Sequence, residues 1–288
     1  MKVILSRKGF DSSSGGYASP ILPDGRLLSL PIPEPSRKPG TAIPYAELDA
    51  GNERSYRDVM AELGIRGFED RGAHLDPDIR ASVQPRPSGW RGLFGQTEGS
   101  QTHLQNEGIG PGDLFLFFGW FKPYGAARGP FWDPAWKGGA HVIWSYLQVA
   151  EVRPVRDEEE RAAFLADHPW GVDHPHIRDW QRRGGNNTLY VASERLSLDA
   201  SFPGAGVLDF APVRVLTARD QPKRSVWRLP TAFDPACCDP PLSHHRKASA
   251  WEREGEGARL QSAGRGQEFV APGSEGIVAW AKAVIEGQ

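Results

Sequence analysis

Gly112–Asp113–Leu114–Phe115–Leu116–Phe117–Phe118–Gly119–Trp120–Phe121 is the stretch on which the fold turns. Its lead-in, Gly110–Pro111–Gly112–Asp113, is a turn signature. The run that follows is apolar at successive positions, so both of its faces call for burial and it reads as a central strand. Working outward, Lys2–Ser6 reads as a buried first strand, Arg26–Leu30 as a strand leaving the turn Pro23–Asp24–Gly25, Val142–Val152 as a second long strand, and Thr188–Ala192 as a third. The 33 glycines and 25 prolines make up about a fifth of the 288 residues, against roughly 12% in average usage, which argues against a helical bundle.

Helices are expected to be few. Tyr56–Leu63 is one, stopped by Gly64. A second begins after Asp157 with Glu158, Glu159 and Glu160 in its first turn and runs to about Ala166. A third starts at Ser274 and carries Ile277, Val278, Ala281, Val284 and Ile285 on one face. Pro31–Pro44 holds five prolines and is expected to run over the surface as an extended loop. The expected architecture is α+β: a mixed or barrel-like β-sheet with long Gly/Pro-rich loops and a few peripheral helices. Neither a repeat nor a linker divides the chain, so residues 1–288 are expected to form a single domain.

The formal charge is −2, so no global field draws the chain onto nucleic acid or an anionic membrane. With 39% hydrophobic and 24% charged residues it is neither a disordered chain nor a coiled coil. The two cysteines, Cys237 and Cys238, are adjacent and build neither a disulfide framework nor a four-cysteine zinc site. Leu114–Phe121 is the longest apolar run and falls short of the ~20 residues a membrane helix needs, so a soluble, cytoplasmic protein with no membrane partner is expected. The nucleophile elbow, the dinucleotide fingerprint, the P-loop and the zincin helix are all missing from the sequence.

Four features offer chemistry. Arg7 and Lys8, followed by Ser12, Ser13, Ser14, Gly15 and Gly16, can present cations, hydroxyls and backbone N–H groups to an anion, or form a solvated Ser or Asx turn. His74 and Asp76 are one residue apart, so on an extended segment their side chains share a side, as metal ligands would. With His141 as a distant third ligand this is the spacing of an iron-binding facial triad, and Arg153 would be where a 2-oxoacid carboxylate is met. Asp76–Pro77–Asp78 is equally a turn that needs no metal. His174–Pro175–His176 suits a ligand pair or a rigid turn. Among ten tryptophans, Trp132 and Trp136 are the candidates for stacking on a base; the others read as core.

The opening Ile4–Leu5–Ser6–Arg7–Lys8–Gly9–Phe10–Asp11–Ser12–Ser13–Ser14–Gly15–Gly16 resembles the third type of nucleotide modification-associated domain, found in bacterial and phage DNA-modification systems. The resemblance continues through His74–Leu75–Asp76–Pro77–Asp78, Phe94–Gly95–Gln96, His103–Leu104, the central strand, His141–Val149, His174–Pro175–His176, Asn186–Asn187–Thr188 and Gly266–Gln267–Glu268–Phe269–Val270. It implies an enzyme that modifies a nucleobase or nucleotide, such as a hydroxymethylated pyrimidine in DNA, and carries over no assigned catalytic residue. The central strands are also similar to the small barrels of the PUA-like superfamily, which leaves open a non-catalytic module that recognises a modified base by aromatic stacking.

The expected site follows from these readings. His74, Asp76 and His141 bind a divalent metal, expected to be iron, with His103 as fourth ligand or general base and His174 and His176 in reserve. Arg7, Lys8, Ser12, Ser13, Gly15 and Gly16 hold the phosphate or sugar, Asp11 sits in that loop as a catalytic candidate, and Asn187 hydrogen-bonds a base edge. The expected partner is a nucleotide, a nucleoside or an extruded DNA base.

Overall fold

The computed structural model describes residues 1–34, 42–68, 71–124, 132–255, 257–263 and 268–288. Its centre is an eight-stranded mixed sheet of β1 (Val3–Arg7), β2 (Ser19–Ile21), β3 (Leu93–Gln96), β4 (Leu114–Pro123), β5 (Ala140–Pro154), β6 (Thr188–Ala192), β7 (Ala205–Val207) and β8 (Glu268–Ala271). Strand order along the main path is β8-β1-β4-β5-β6-β3, with β2 pairing β4 and β7 pairing β5. The pairs β1/β4 and β2/β4 are parallel and the rest antiparallel. The expected α+β class and mixed sheet are observed; the barrel-like alternative is not, because the edge strands β8 and β3 do not pair. The sheet nevertheless brings those edges near each other: Gln96 Nε2 of β3 donates to Glu268 Oε1 of β8.

The central strand is apolar on both faces because both faces are covered. Leu114, Leu116 and Phe118 join Val3 and Leu5 in a core closed by helix α5 (Glu275–Glu286) and by the three-stranded sheet of Val226–Pro230, Trp251–Glu254 and Gly257–Gln261. Phe115 and Phe117 face the other way, toward Ile4, Phe94, Tyr190 and Leu104 of α2 (Glu98–Asn106). A bulge at Phe117–Phe118 shifts the register against β5, opposing Phe117 to Ser145 and Phe118 to Ile143.

Local signals account for the remaining helices. Ser55 caps α1 (Tyr56–Glu62) in a reciprocal capping box with Asp58, and Asp157 caps α3 (Glu158–Asp167) by accepting from the Glu160 N–H. Arg26–Leu30 is not a strand; it makes only single bridges, Ile21 to Leu27 and Arg26 to Asp209, while Leu27, Leu28 and Leu30 are buried. The proline-rich segment also departs from expectation. Residues 35–41 lie outside the described residues, but Pro31–Glu34 lies against Gly72–His74, through Glu34 N–H to the Gly72 carbonyl and His74 N–H to the Ile32 carbonyl. Glu34 is thereby 3% exposed. Among the described residues no helix is long and apolar enough to cross a membrane.

Candidate functional site

Leu75, Phe94 and Ile177 anchor three separate core clusters, and the polar residues beside them in the chain converge. His74 and Asp76 stand on the segment that runs alongside Pro31–Glu34. Asp76 is held from β3, where the Gly95 N–H donates to its Oδ1 at 2.7 Å. His176 comes from the short helix α4 (Pro175–Arg178), whose first position is proline. Gly95 permits the approach: a Cβ there would lie 2.3 Å from Cγ of the His176 ring.

One donor atom each from His74, Asp76 and His176 lies within 4.8 Å of the others. Asp76 Oδ2 is 4.0 Å from His74 Nε2 and 3.9 Å from His176 Nε2. The outer side of each imidazole is fixed. His74 Nδ1 is 2.7 Å from Glu34 Oε1, and a carboxylate only accepts, so Nδ1 carries a proton and, in a neutral ring, Nε2 keeps its lone pair. His176 Nδ1 is 2.6 Å from Asn187 Oδ1. The Asn187 amide cannot be reversed, because its Nδ2 donates to the Val155 and His176 carbonyls at 2.8 and 2.9 Å. His176 therefore also presents a bare Nε2. Two imidazoles and a carboxylate, with outer partners that orient the rings, are a donor set for a borderline divalent metal such as iron, manganese or zinc.

His174 has a different part. Its Nδ1 accepts from the His176 N–H at 3.3 Å, which leaves the proton of a neutral ring on Nε2. That atom lies 3.3 Å from Asp76 Oδ1, out of hydrogen-bond alignment and without a hydrogen-bond partner among the described residues. His174–Pro175–His176 forms a helix start, with His174 capping and His176 buried beside Asp76. Burial raises the Asp76 pKa, but contact with His174 and the electrostatic pull of the neighbouring His176, His174 and His74 rings outweigh it and hold the carboxyl well below its usual range. Burial drives the His176 pKa well below its ordinary value against the pull of Asp76, so the ring is neutral.

The cluster opens into a cleft of about 160 Å³ that is also lined by Arg7, Lys8, Gly9, Asp11, Ser14, Gln96, Thr97 and Arg183. The opening loop and the imidazole cluster thus share one cleft. Asp11 shapes the loop: its Oδ1 accepts from Ser13 N–H, Ser13 Oγ and Ser14 N–H at 2.8, 2.8 and 2.7 Å. Gly15 is required because a Cβ would lie 2.3 Å from the Phe10 ring at a φ of +88°. Lys8 forms a buried pair with Glu268 at 3.1 Å and sits 4.5 Å above the Phe94 ring. Ser12 points elsewhere and accepts from Arg224, and Gly16 is exposed.

Other expected residues lie apart. His141 is enclosed by Phe118 and Trp227 and accepts the Trp227 indole N–H on Nδ1 at 2.9 Å, so it is not brought to His74 and Asp76. Burial lowers its pKa to about 3, with Arg224 and Arg7 acting in the same direction. His103 Nε2 contacts Ser243 Oγ at 3.0 Å, with its ring 4.4 Å from His244. Asn187 is fully buried and spends its amide on His176 and two carbonyls rather than on a base edge. Asp78 is engaged by Arg86, and Arg153 by Glu151 and Asp167. Trp136 is 3% exposed, and its indole N–H goes to the Ala218 carbonyl. Sequence reasoning missed Glu34, which lies in the proline-rich stretch with no signal of its own. It also missed the cation Arg183.

Comparison with known families bears on the same residues. Residues 2–272 match the model for nucleotide modification associated domain 3. The chain belongs to this family. Family membership associates it with nucleotide modification in general, and the matched span contains every residue of the cluster and cleft. No curated protein and no solved structure matches the chain.

Proposed function

We propose that this member of the nucleotide modification associated domain 3 family is a metal-dependent enzyme acting on a nucleobase or nucleotide. The observation that carries the reading is the triad His74, Asp76 and His176, with both histidine Nδ1 atoms tied to fixed acceptors and both Nε2 atoms bare. A divalent metal held there would supply Lewis acidity and open positions for water or substrate. The chain's own residues do the rest. Glu34 and Asn187 hold the two ring tautomers, and the Gly95 N–H fixes the carboxylate of Asp76. Arg7, Lys8 and Ser14 border the cleft, where they can orient an anionic substrate group. A base-stacking reader is the weaker reading, since none of the described residues lining this cleft is Phe, Tyr or Trp. A hydroxymethylated pyrimidine fits the proposed class of substrate.

Elemental analysis of purified protein tests the reading. Stoichiometric iron, manganese or zinc, lost in both His74→Ala and His176→Ala, is the expected result. Protein that is metal-free and also fails to bind added Fe(II), Mn(II) or Zn(II) overturns it.

A further inference from the structure

Beside the metal cleft, and sharing Ser14, Ile32, His74 and Arg183 with it, lies a second cavity of about 400 Å³. Among the described residues, its lining includes the arginines Arg71 and Arg183 and no carboxylate. Both guanidinium groups are partly engaged. Arg71 Nη2 donates to the Glu34 carbonyl, and Arg183 Nη2 lies 3.4 Å from Glu34 Oε1. In each, Nε is shut off from solvent and has no hydrogen-bond partner among the described residues. Each guanidinium therefore keeps donor capacity that Glu34 does not use. The opposite side of the cavity is Ser13, Ser14 and Gly15. There Asp11 already takes up Ser13 N–H, Ser13 Oγ and Ser14 N–H, so the carboxylate that shapes the loop spends one oxygen on it.

From this geometry we infer that the second cavity is a phosphate-binding subsite, with Arg71 and Arg183 as its cations and the Ser13–Gly15 loop as its opposite wall. A phosphate has enough acceptor oxygens to take N–H groups from both guanidinium ends and still reach a serine hydroxyl, and the planar fork of arginine matches it better than a lysine would. Arg183 and His74 line both cavities, so a ligand phosphorylated at one end can place its other end at the imidazole cluster. The inference deepens the enzymatic reading above by making the substrate a phosphorylated nucleotide rather than a free base or nucleoside. It does not require a metal to be bound.

The test uses full-length protein freed of metal by chelation and dialysis, titrated calorimetrically with deoxycytidine, deoxycytidine 5′-monophosphate and a short single-stranded deoxycytidine oligomer. Either phosphorylated probe is expected to bind at least about tenfold tighter than the nucleoside, and the double variant Arg71→Gln/Arg183→Gln to lose that preference. A preference for the monophosphate identifies a free nucleotide as the source, and a preference for the oligomer a DNA backbone. Equal binding of all three probes, no binding of any, or a preference unchanged in the double variant overturns the inference. Should the double variant not fold, Arg71→Lys is read instead: an undiminished phosphate preference in it counts against the subsite. Metal loss in His74→Ala with the phosphate preference intact separates this inference from the metal reading.

Discussion

His176 and His141 are both buried histidines, yet their hydrogen bonds run in opposite senses. At His176 the acceptor Asn187 takes the Nδ1 proton and leaves Nε2 bare beside Asp76. At His141 the donor Trp227 occupies Nδ1, so a neutral ring carries its proton on Nε2, within an aromatic shell of Phe118 and Trp227. One imidazole is prepared to ligate and the other to complete a core. The outer partner decides which, and neither burial nor residue type distinguishes them.

The largest effect should separate the two regions outright. Asp76→Ala is expected to remove bound metal altogether, by about 100-fold or more in affinity, whereas His141→Ala should leave metal content unchanged. Mass spectrometric metal analysis of both variants checks it; metal loss in His141→Ala would break the contrast.

Next comes stability. His141→Ala strands the buried Trp227 N–H and opens a cavity, so it should cost about 3 kcal/mol, read as a shift in the urea midpoint at unchanged slope. A shift under about 1 kcal/mol would mean that the aromatic shell does not depend on this ring.

Glu34→Gln keeps an acceptor for His74 but removes the charge. A roughly tenfold loss of metal affinity, about 1.4 kcal/mol, is expected from chelator competition. Unchanged affinity would sharpen the comparison differently, showing that the hydrogen bond to Nδ1 suffices without the carboxylate charge.

A further effect is in pH dependence. His141 titrates at about 3 in the folded protein against 6.5 when unperturbed, so between these values the unfolded chain binds the extra proton. The stability contributed by neutral His141 is therefore intact above 6.5 and is lost as pH falls toward 3, by at most about 1.4 kcal/mol per pH unit. His176, lowered in the same direction, adds to that slope in metal-free protein. Denaturant titrations of metal-free protein at pH 7 and pH 5 should show the fall, and His141→Phe should flatten part of it; a slope unchanged in that variant would assign the effect elsewhere.

Much of the fold was legible because its signals are local. Thr188–Ala192 is a strand with the bounds read from its apolar run, and the helices after Ser55, Asp157 and Ser274 begin where capping residues or N-terminal carboxylates stand. Arg26–Leu30 misled because burial in a core of loops imitates the pattern of a strand. At the site, His74, Asp76 and His176 were all candidates, and so were Arg7 and Lys8. His141 was preferred over His176 as third ligand because the spacing of a distant histidine carries no information about where the chain returns.

The sequence by itself determined the α+β class, the central strand buried on both faces, and the pairing of His74 with Asp76. Each depends on residues within a turn or a strand of one another, where backbone periodicity converts spacing directly into direction. Only the tertiary structure decided that His176 meets Asp76 while His141 meets Trp227, that Glu34 leaves a proline-rich stretch to hold His74, and that Arg183 faces both cavities. Those contacts join segments far apart in the chain. They are fixed by which faces of the sheet and helices pack together, and Gly95, whose missing side chain admits the His176 ring, shows how a single position can settle the outcome.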